Sequence, residues 1–277
     1  MTLAARLAPH LPPRLVSAAA TLLYPRFEPE LRRLSDFCRP GGTAVDVGGW
    51  YGPWARHLAR RADRVVTLEP VPHLARLLAA VTPDNVEVVR AAAGDRSGTA
   101  TLWLPSGGRG DRGVSSLVRR RLHRSALEVR CVALDDLELS DVTIIKIDVD
   151  GAEPAVLRGA ERTVERYRPA LFVELETRIQ PLGPILEWIA ARDYRGWVLP
   201  GDRWLPLAAF DLPGHQARTS YVAEHGLLRR TLVPHRRYVN SVLFLPRGHG
   251  PGDPTYRTNP AATRPVLRDD VRHEPYG

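Results

Sequence analysis

The chain is poor in the residues that build disulfide frameworks, metal centres and membrane spans. Its cysteines are Cys38 and Cys131 alone, too few for a cross-linked scaffold and without metal-ligand spacing. They read as reduced thiols. No apolar run approaches the roughly 20 residues that cross a bilayer. Leu15 to Leu23, behind Arg6 and Arg14, resembles a short secretory core, but it is alanine-rich and follows Pro12-Pro13. The expectation is therefore a cytoplasmic chain without stable membrane association. Lysine is nearly missing too: every cation other than histidine is arginine, except Lys146. The histidines form no pair at helical ligand spacing, which argues against a metal centre.

What is present suits an enzyme-sized core. A chain of 277 residues with 44% apolar content can build one large core or two modest ones. A net charge of +8, from 39 basic and 31 acidic side chains, raises the question of a polyanionic partner. The arginines are spread along the chain, with no basic stripe interleaved with aromatics and no Asn-Pro-Pro-Tyr-type base-flipping motif. Nucleic acid is not expected as a partner.

The organising stretch is Thr43 to Pro70. Thr43 to Val47 reads as a buried strand, Gly48-Gly49-Trp50-Tyr51-Gly52 breaks it, and Pro53 opens a helix. Arg64 to Leu68 is a second strand, closed by Glu69-Pro70. Pro72 to Val81 is a helix and Val86 to Val89 a third strand, so β-α-β-α-β alternation predicts a doubly wound α/β fold with a mostly parallel sheet. Gly98 to Leu104 and Glu128 to Leu134 alternate as strands, with an arginine- and glycine-rich excursion, Ser106 to Arg124, between them. Val142 to Asp148 is the most strand-like run in the chain. A helix from Pro154, a strand from Ala170, a helix over Leu182 to Ala191 and strands at Tyr194 to Leu199 and Tyr238 to Leu245 follow. Residues 1–40 read as a helical cap in two pieces, Leu15 to Leu23 and Glu28 to Phe37. Residues 41–246 read as the catalytic domain, and 247–277 as a disordered tail rich in proline, glycine and arginine.

Two constellations carry chemistry. In the first, glycines stand between a strand and a helix, where the backbone needs positive φ and close approach. Asp46 precedes them, and Glu69 ends the next strand, from which a carboxylate can accept both hydroxyls of a ribose. The order Gly48-Gly49-x-x-Gly52 behind an acid departs from the dinucleotide fingerprint Gly-x-Gly-x-x-Gly. Asp46, the glycines and Glu69 together point to S-adenosylmethionine, whose ammonium needs carboxylate or carbonyl partners. Ala91 to Gly94, after the third strand, is either a small-residue seat for adenine or a plain connector.

The second constellation is Lys146-Ile147-Asp148-Val149-Asp150-Gly151-Ala152-Glu153. Lys146 and Asp148 share a sheet face, roughly 6 to 7 Å apart along the strand. A lone lysine inside the most buried-looking strand of an arginine protein implies a need for a compact ammonium. Buried, it must be paired, with Asp148 or with Glu174 of a neighbouring strand. Asp150 and Glu153 suit either a site or simply the N-terminus of the following helix.

These pieces resemble the FkbM-type methyltransferases. The resemblance runs from Val45-Asp46-Val47-Gly48-Gly49-Trp50-Tyr51-Gly52 through Leu68-Glu69-Pro70, Leu134-Asp135-Asp136-Leu137 and Ile145 to Glu153, to Val173-Glu174-Leu175. Asn240-Ser241-Val242-Leu243-Phe244 is a weaker echo. It implies a Rossmann-like methyltransferase fold of about seven strands, the last antiparallel, and S-adenosylmethionine as cofactor. The activity implied is O-methylation of a hydroxyl on a sugar or natural product. Asp46, Gly48, Gly49, Trp50 and Gly52 would cradle the methionine part, Glu69 the ribose and the Ala92 region the adenine. Asp148 and Glu153 would lie between cofactor and acceptor, with Asp148 as first choice of general base, Glu174 as second and Lys146 tuning them. The family usually has Ala-Asn where Gly49-Trp50 stands, so a non-catalytic member of the fold acting as a scaffold remains an alternative, as does a nicotinamide oxidoreductase.

Overall fold

The computed structural model describes residues 13–105, 115–223 and 237–257. It opens with helix α1 (Pro13–Leu23) and two 3-10 segments, Tyr24–Arg26 and Pro29–Asp36. Strand β1 (Thr43–Val47), helix α2 (Pro53–Leu58), β2 (Arg64–Leu68), α3 (Pro72–Val81) and β3 (Val86–Val89) complete the expected alternation. Then come β4 (Ala92–Ala93), β5 (Gly98–Pro105), β6 (His123–Val132) and β7 (Val142–Ile147). Helices α4 (Glu153–Arg158) and α5 (Glu161–Tyr167) lead to β8 (Ala170–Glu174), and α6 (Gly183–Ala190) leads to β9 (Tyr194–Val198). Short β10 (Leu205–Pro206), helix α7 (Leu212–Ala223) and β11 (Ser241–Pro246) close the domain.

The main sheet has eight strands in the order β10-β9-β11-β8-β7-β1-β2-β3. β1 pairs in parallel with β2 and β7, and β7 with β8, while β11 runs antiparallel to both β8 and β9. A parallel centre must be covered on both faces, and the alternation along each strand shows how. Val45, Val47, Ile145, Ile147, Leu171 and Val173 pack with Val156, Leu157 and Val164 on one face. Ala44, Ile144, Ala170 and Phe172 pack with Trp54, Leu58, Leu34 and Phe37 on the other. Successive residues point to opposite faces, so Asp46, Lys146 and Glu174 belong to the second face, the one the N-terminal segment covers.

Several expectations need correction. The second N-terminal piece is 3-10 rather than α, with a non-helical Arg33 inside it. Pro29 stands at the first position, where its missing N–H costs nothing, and the break falls at Arg33, with φ −112° and ψ 16°. The sheet has one strand more than expected because Leu205–Pro206 adds a short antiparallel edge to β9. The alternating runs at β5 and β6 do not join it; with β4 they make a separate three-stranded sheet. The connection before β11 contains α7, whose His215 faces the Arg237 carbonyl 3.0 Å away. Residues 247–257 do not behave as a free tail: Tyr256 is buried, Arg61 donates to its carbonyl at 3.0 Å, and Gly252 N–H donates to the Asp36 carbonyl at 2.8 Å. One aromatic anchor with backbone bonds supplies there what apolar periodicity does not. The expected disorder of 258–277, residues 106–114 of the 106–124 excursion and residues 1–12 of the expected cap lie outside the described residues.

Candidate functional site

The carboxyl ends of β1, β2, β7 and β8 converge, and the register explains what they bring. Asp46 pairs in register with Lys146 and with Thr67. The Lys146 ammonium lies 3.3 Å from Asp46 Oδ1, and Thr67 Oγ1 donates to Asp46 Oδ2 at 3.1 Å. The lysine side chain is 4% exposed and the aspartate 0%. The ammonium also donates to the Gly48 carbonyl at 2.8 Å and to the Val47 carbonyl at 3.3 Å, and it lies 3.6 Å from Asp148 Oδ2. Burial alone would push the lysine toward neutrality, but Asp46 and Asp148 outweigh it and hold its pKa above the ordinary value. The only lysine is thus a tether fastening the glycine turn to β1 and β7. A guanidinium is broader and planar and cannot reproduce that convergence on two carbonyls and two carboxylates.

The turn itself is tight. Gly48 has φ 87°, and a Cβ placed on it would come within 2.1 Å of the Asp148 carbonyl oxygen. Only glycine allows the two turns to approach so closely. Trp50 also has positive φ, 47°, a genuine outlier for a bulky side chain. Its N–H donates to Glu69 Oε2 at 2.8 Å, and Val71 N–H donates to Glu69 Oε1 at 2.8 Å. Burial raises the Glu69 carboxyl to about 7 despite these two donors. Glu69 therefore clamps the turn to the end of β2 while keeping acceptor capacity on both oxygens. A cavity of about 500 Å³ opens just past it, lined by Pro70, Pro72, Val89, Arg90, Glu128 and Val129 among others.

On the other side of the turn stand two carboxyl groups. Asp148 follows β7 and its side chain is 29% exposed. Glu174 ends β8; burial first, then the charge of Asp148 and a hydrogen bond with it, hold Glu174 well above the ordinary carboxyl range. Asp148 and Glu174 therefore stand as neighbouring carboxyl groups, the buried one with its proton affinity raised. Asn240 Nδ2 donates to Glu174 and, at 3.4 Å, to Glu176.

The remaining expected residues lie deeper. Glu153 is buried beneath the turn after β7, where it accepts from Val149 N–H at 3.1 Å, from Gly151 N–H at 3.0 Å and from Gln180 Nε2. Its place is in the scaffold of the Asp148 turn. Ala92 is buried in an apolar cluster with Val71, Leu74, Leu102 and Leu104. The sequence carries no signal for Thr67, Gln180 or Arg120, which forms an ion pair with Asp150 at 2.8 Å. Nor did it single out Tyr24 or Glu28. Glu28 accepts a hydrogen bond from Trp54 Nε1 at 2.6 Å, and Tyr24 packs against Trp50 with ring centroids 5.8 Å apart. Among the described residues no group of three or more His, Cys, Asp or Glu could hold a metal, and no helix is long and apolar enough to cross a membrane.

The doubly wound sheet, the glycine turn after its central strand and the acid after the next strand define a nucleotide-cofactor protein of the Rossmann-like methyltransferase class. The sequence profile of the methyltransferase FkbM domain matches residues 29–195. The chain belongs to that family, whose cofactor is S-adenosylmethionine. It is similar to the FkbM methyltransferase of Methylobacillus flagellatus at 15% identity and TM-score 0.44, covering 83% of this chain and 60% of that one. It is also similar to precorrin-6y C5,15-methyltransferase of Geobacter metallireducens, at 13% identity and TM-score 0.42 over 79% of this chain and 87% of that one. An rRNA methylase of Streptococcus thermophilus is 10% identical with TM-score 0.41, over 79% and 95% of the two chains. No curated protein matches the chain.

The residues present fit the cofactor. Glu69 offers a diol two acceptor oxygens, the cavity past it has room for a base, and the turn-side carboxylates suit a cationic methionine end.

Proposed function

We propose that the chain is an S-adenosylmethionine-dependent O-methyltransferase acting on a hydroxyl of a sugar or natural-product acceptor. In this reading residues 41–246 form the catalytic domain and residues 1–40 its cap. The observation that carries it is the partly exposed Asp148 carboxylate beside the glycine turn, 3.6 Å from the Lys146 ammonium, with the buried Glu174 next to it. Glu69 would hold the ribose, the Gly48–Gly52 turn the methionine part, and the cavity past Glu69 the base.

Bound there, the cofactor supplies a methyl group on a sulfonium, which transfers in line to a nucleophile. An alcohol attacks poorly until its proton is removed. Asp148 is the partly exposed carboxylate at the edge of the crevice and serves as general base. Glu174, whose carboxyl is held well above the ordinary range by burial and then by the Asp148 charge, shares a hydrogen bond with it. Lys146 fixes Asp148 relative to the turn, so base and turn keep one geometry, the arrangement that in-line transfer at roughly 3 to 3.5 Å requires.

The test is methyl transfer from labelled cofactor to a panel of glycans and polyhydroxylated natural products. Asp148→Asn is expected to lower turnover by about 10²- to 10⁴-fold with cofactor affinity nearly unchanged. Turnover that survives the substitution in a folded protein removes Asp148 from this role, and transfer to nitrogen or carbon but not oxygen removes the O-methylation reading.

A further inference from the structure

The carboxylate expected to meet the cofactor's ammonium is already committed. Asp46 is fully buried, and its two oxygens face Lys146 and Thr67. Lys146 in turn is spent on Asp46, Asp148 and two turn carbonyls. Neutralising the pair Asp46–Lys146 leaves Asp148, Glu174 and one further acid, Glu28, around the same turn.

Glu28 arrives from the segment ahead of the matched family domain, which begins at residue 29. It lies between Pro25 and Pro29, where the 3-10 segments break the cap, and its backbone there is extended in ψ, at φ −121° and ψ 81°. Trp54 of α2 holds Oε2 at 2.6 Å. Burial, then the charge of the same carboxyl group, hold the Tyr24 phenol well above its ordinary value. The Tyr24 ring contacts Trp50 at 5.8 Å, and Trp50 contacts Tyr51 at 4.8 Å. Ser17 Oγ donates to the Tyr51 carbonyl at 3.0 Å, so the cap is fastened to the turn at a second point. Carboxylate and aromatic faces thus stand together over the glycine turn, a combination that favours a cationic ligand over an anionic one.

We propose that Glu28, not Asp46, receives the ammonium of the cofactor's methionine end, with the Tyr24 and Trp50 rings beside it. This inference rests on the methyltransferase reading. The groups facing Glu28 are Tyr24 and Glu30 of its own segment, Trp54 of α2, and Asp148 and Lys146 of β7 and its turn. Burial, then the charges of Asp148 and Glu30, raise its carboxyl to about 7. An arriving cation stabilises the ionised form, so binding expels a proton wherever the free carboxyl is still protonated.

The experiment is calorimetric titration with S-adenosylhomocysteine and with adenosine, which lacks the amino-acid part, in buffers of different ionisation enthalpy near pH 6.5. The intact protein is expected to release protons on binding S-adenosylhomocysteine. Glu28→Gln, which retains an oxygen for Trp54, is expected to weaken S-adenosylhomocysteine by about tenfold or more, to cut that proton release, and to leave adenosine unchanged. Unchanged affinity and proton release overturn the inference while leaving the methyltransferase reading intact. Equal weakening of both ligands also overturns it, because the disturbance is then general. Failure of the intact protein to bind either ligand overturns the cofactor assignment and the inference with it.

Discussion

The two ends of the sheet treat charge in opposite ways. At the amino end, Arg39 pairs with Asp141, and Arg247 lies 3.5 Å from Asp193 with both side chains more than 60% exposed. At the carboxyl end, Lys146 and Asp46 are sealed from water. Exposed pairs are solvated whether or not they touch, so their net contribution is about 0 to 1 kcal/mol. A buried pair is weak evidence for stability as a pair, yet removing one partner strands the other. Arginine serves the first situation throughout this chain. The second is where the single lysine was placed.

The contrast breaks first if Lys146 proves dispensable. Lys146→Met leaves Asp46 buried without its counter-charge and is expected to lower unfolding free energy by about 3 to 5 kcal/mol in urea titration. Lys146→Arg is expected to destabilise as well, since the fork cannot sit on the Val47 and Gly48 carbonyls together; full stability in that variant would refute the tether.

A second effect sharpens it. Glu28 and Glu69 both have carboxyls raised to about 7 by burial. A folded-state pKa above the unfolded value means that the folded chain holds extra protons between the two. The associated stability is complete below the ordinary carboxyl pKa and is lost as pH rises through about 7. Ligand-free protein should therefore be less stable at pH 8 than at pH 5, by on the order of 2 to 3 kcal/mol for each such group. Replacing Glu69 by Gln should flatten that slope. A profile that rises over this window would contradict the buried state of both acids.

The smallest expected effect is at the other end of the sheet. Arg247→Ala should change stability by less than about 0.5 kcal/mol. A larger loss would mean that the exposed arginines also hold the fold.

Most of the fold was legible because strand alternation and proline-glycine punctuation are local signals. β1, β2, β7 and β8 stand where their apolar runs stand, and the Lys146–Asp148 constellation was visible because one lysine interrupts a valine- and isoleucine-rich strand. The partners were harder to read. Lys146 was matched to Asp148 or Glu174, whereas its nearest carboxylate is Asp46, a choice set by the parallel register of β1 and β7. No spacing within one strand encodes that register. Tyr24, Glu28 and Asn240 approach from segments far from the turn in sequence. Glu153 was expected near the chemistry because it follows the motif closely, but its side chain curls back onto the Val149 and Gly151 amides.

The most direct test of the crevice is calorimetric titration of the purified protein with S-adenosylmethionine and S-adenosylhomocysteine, repeated on Glu69→Ala. Micromolar binding that the substitution weakens by about 1.5 to 3 kcal/mol is expected, because the proposed acceptor of the ribose and the clamp on Trp50 are lost together. No binding by the intact protein would contradict the cofactor site and leave a scaffold that keeps the fold without the chemistry.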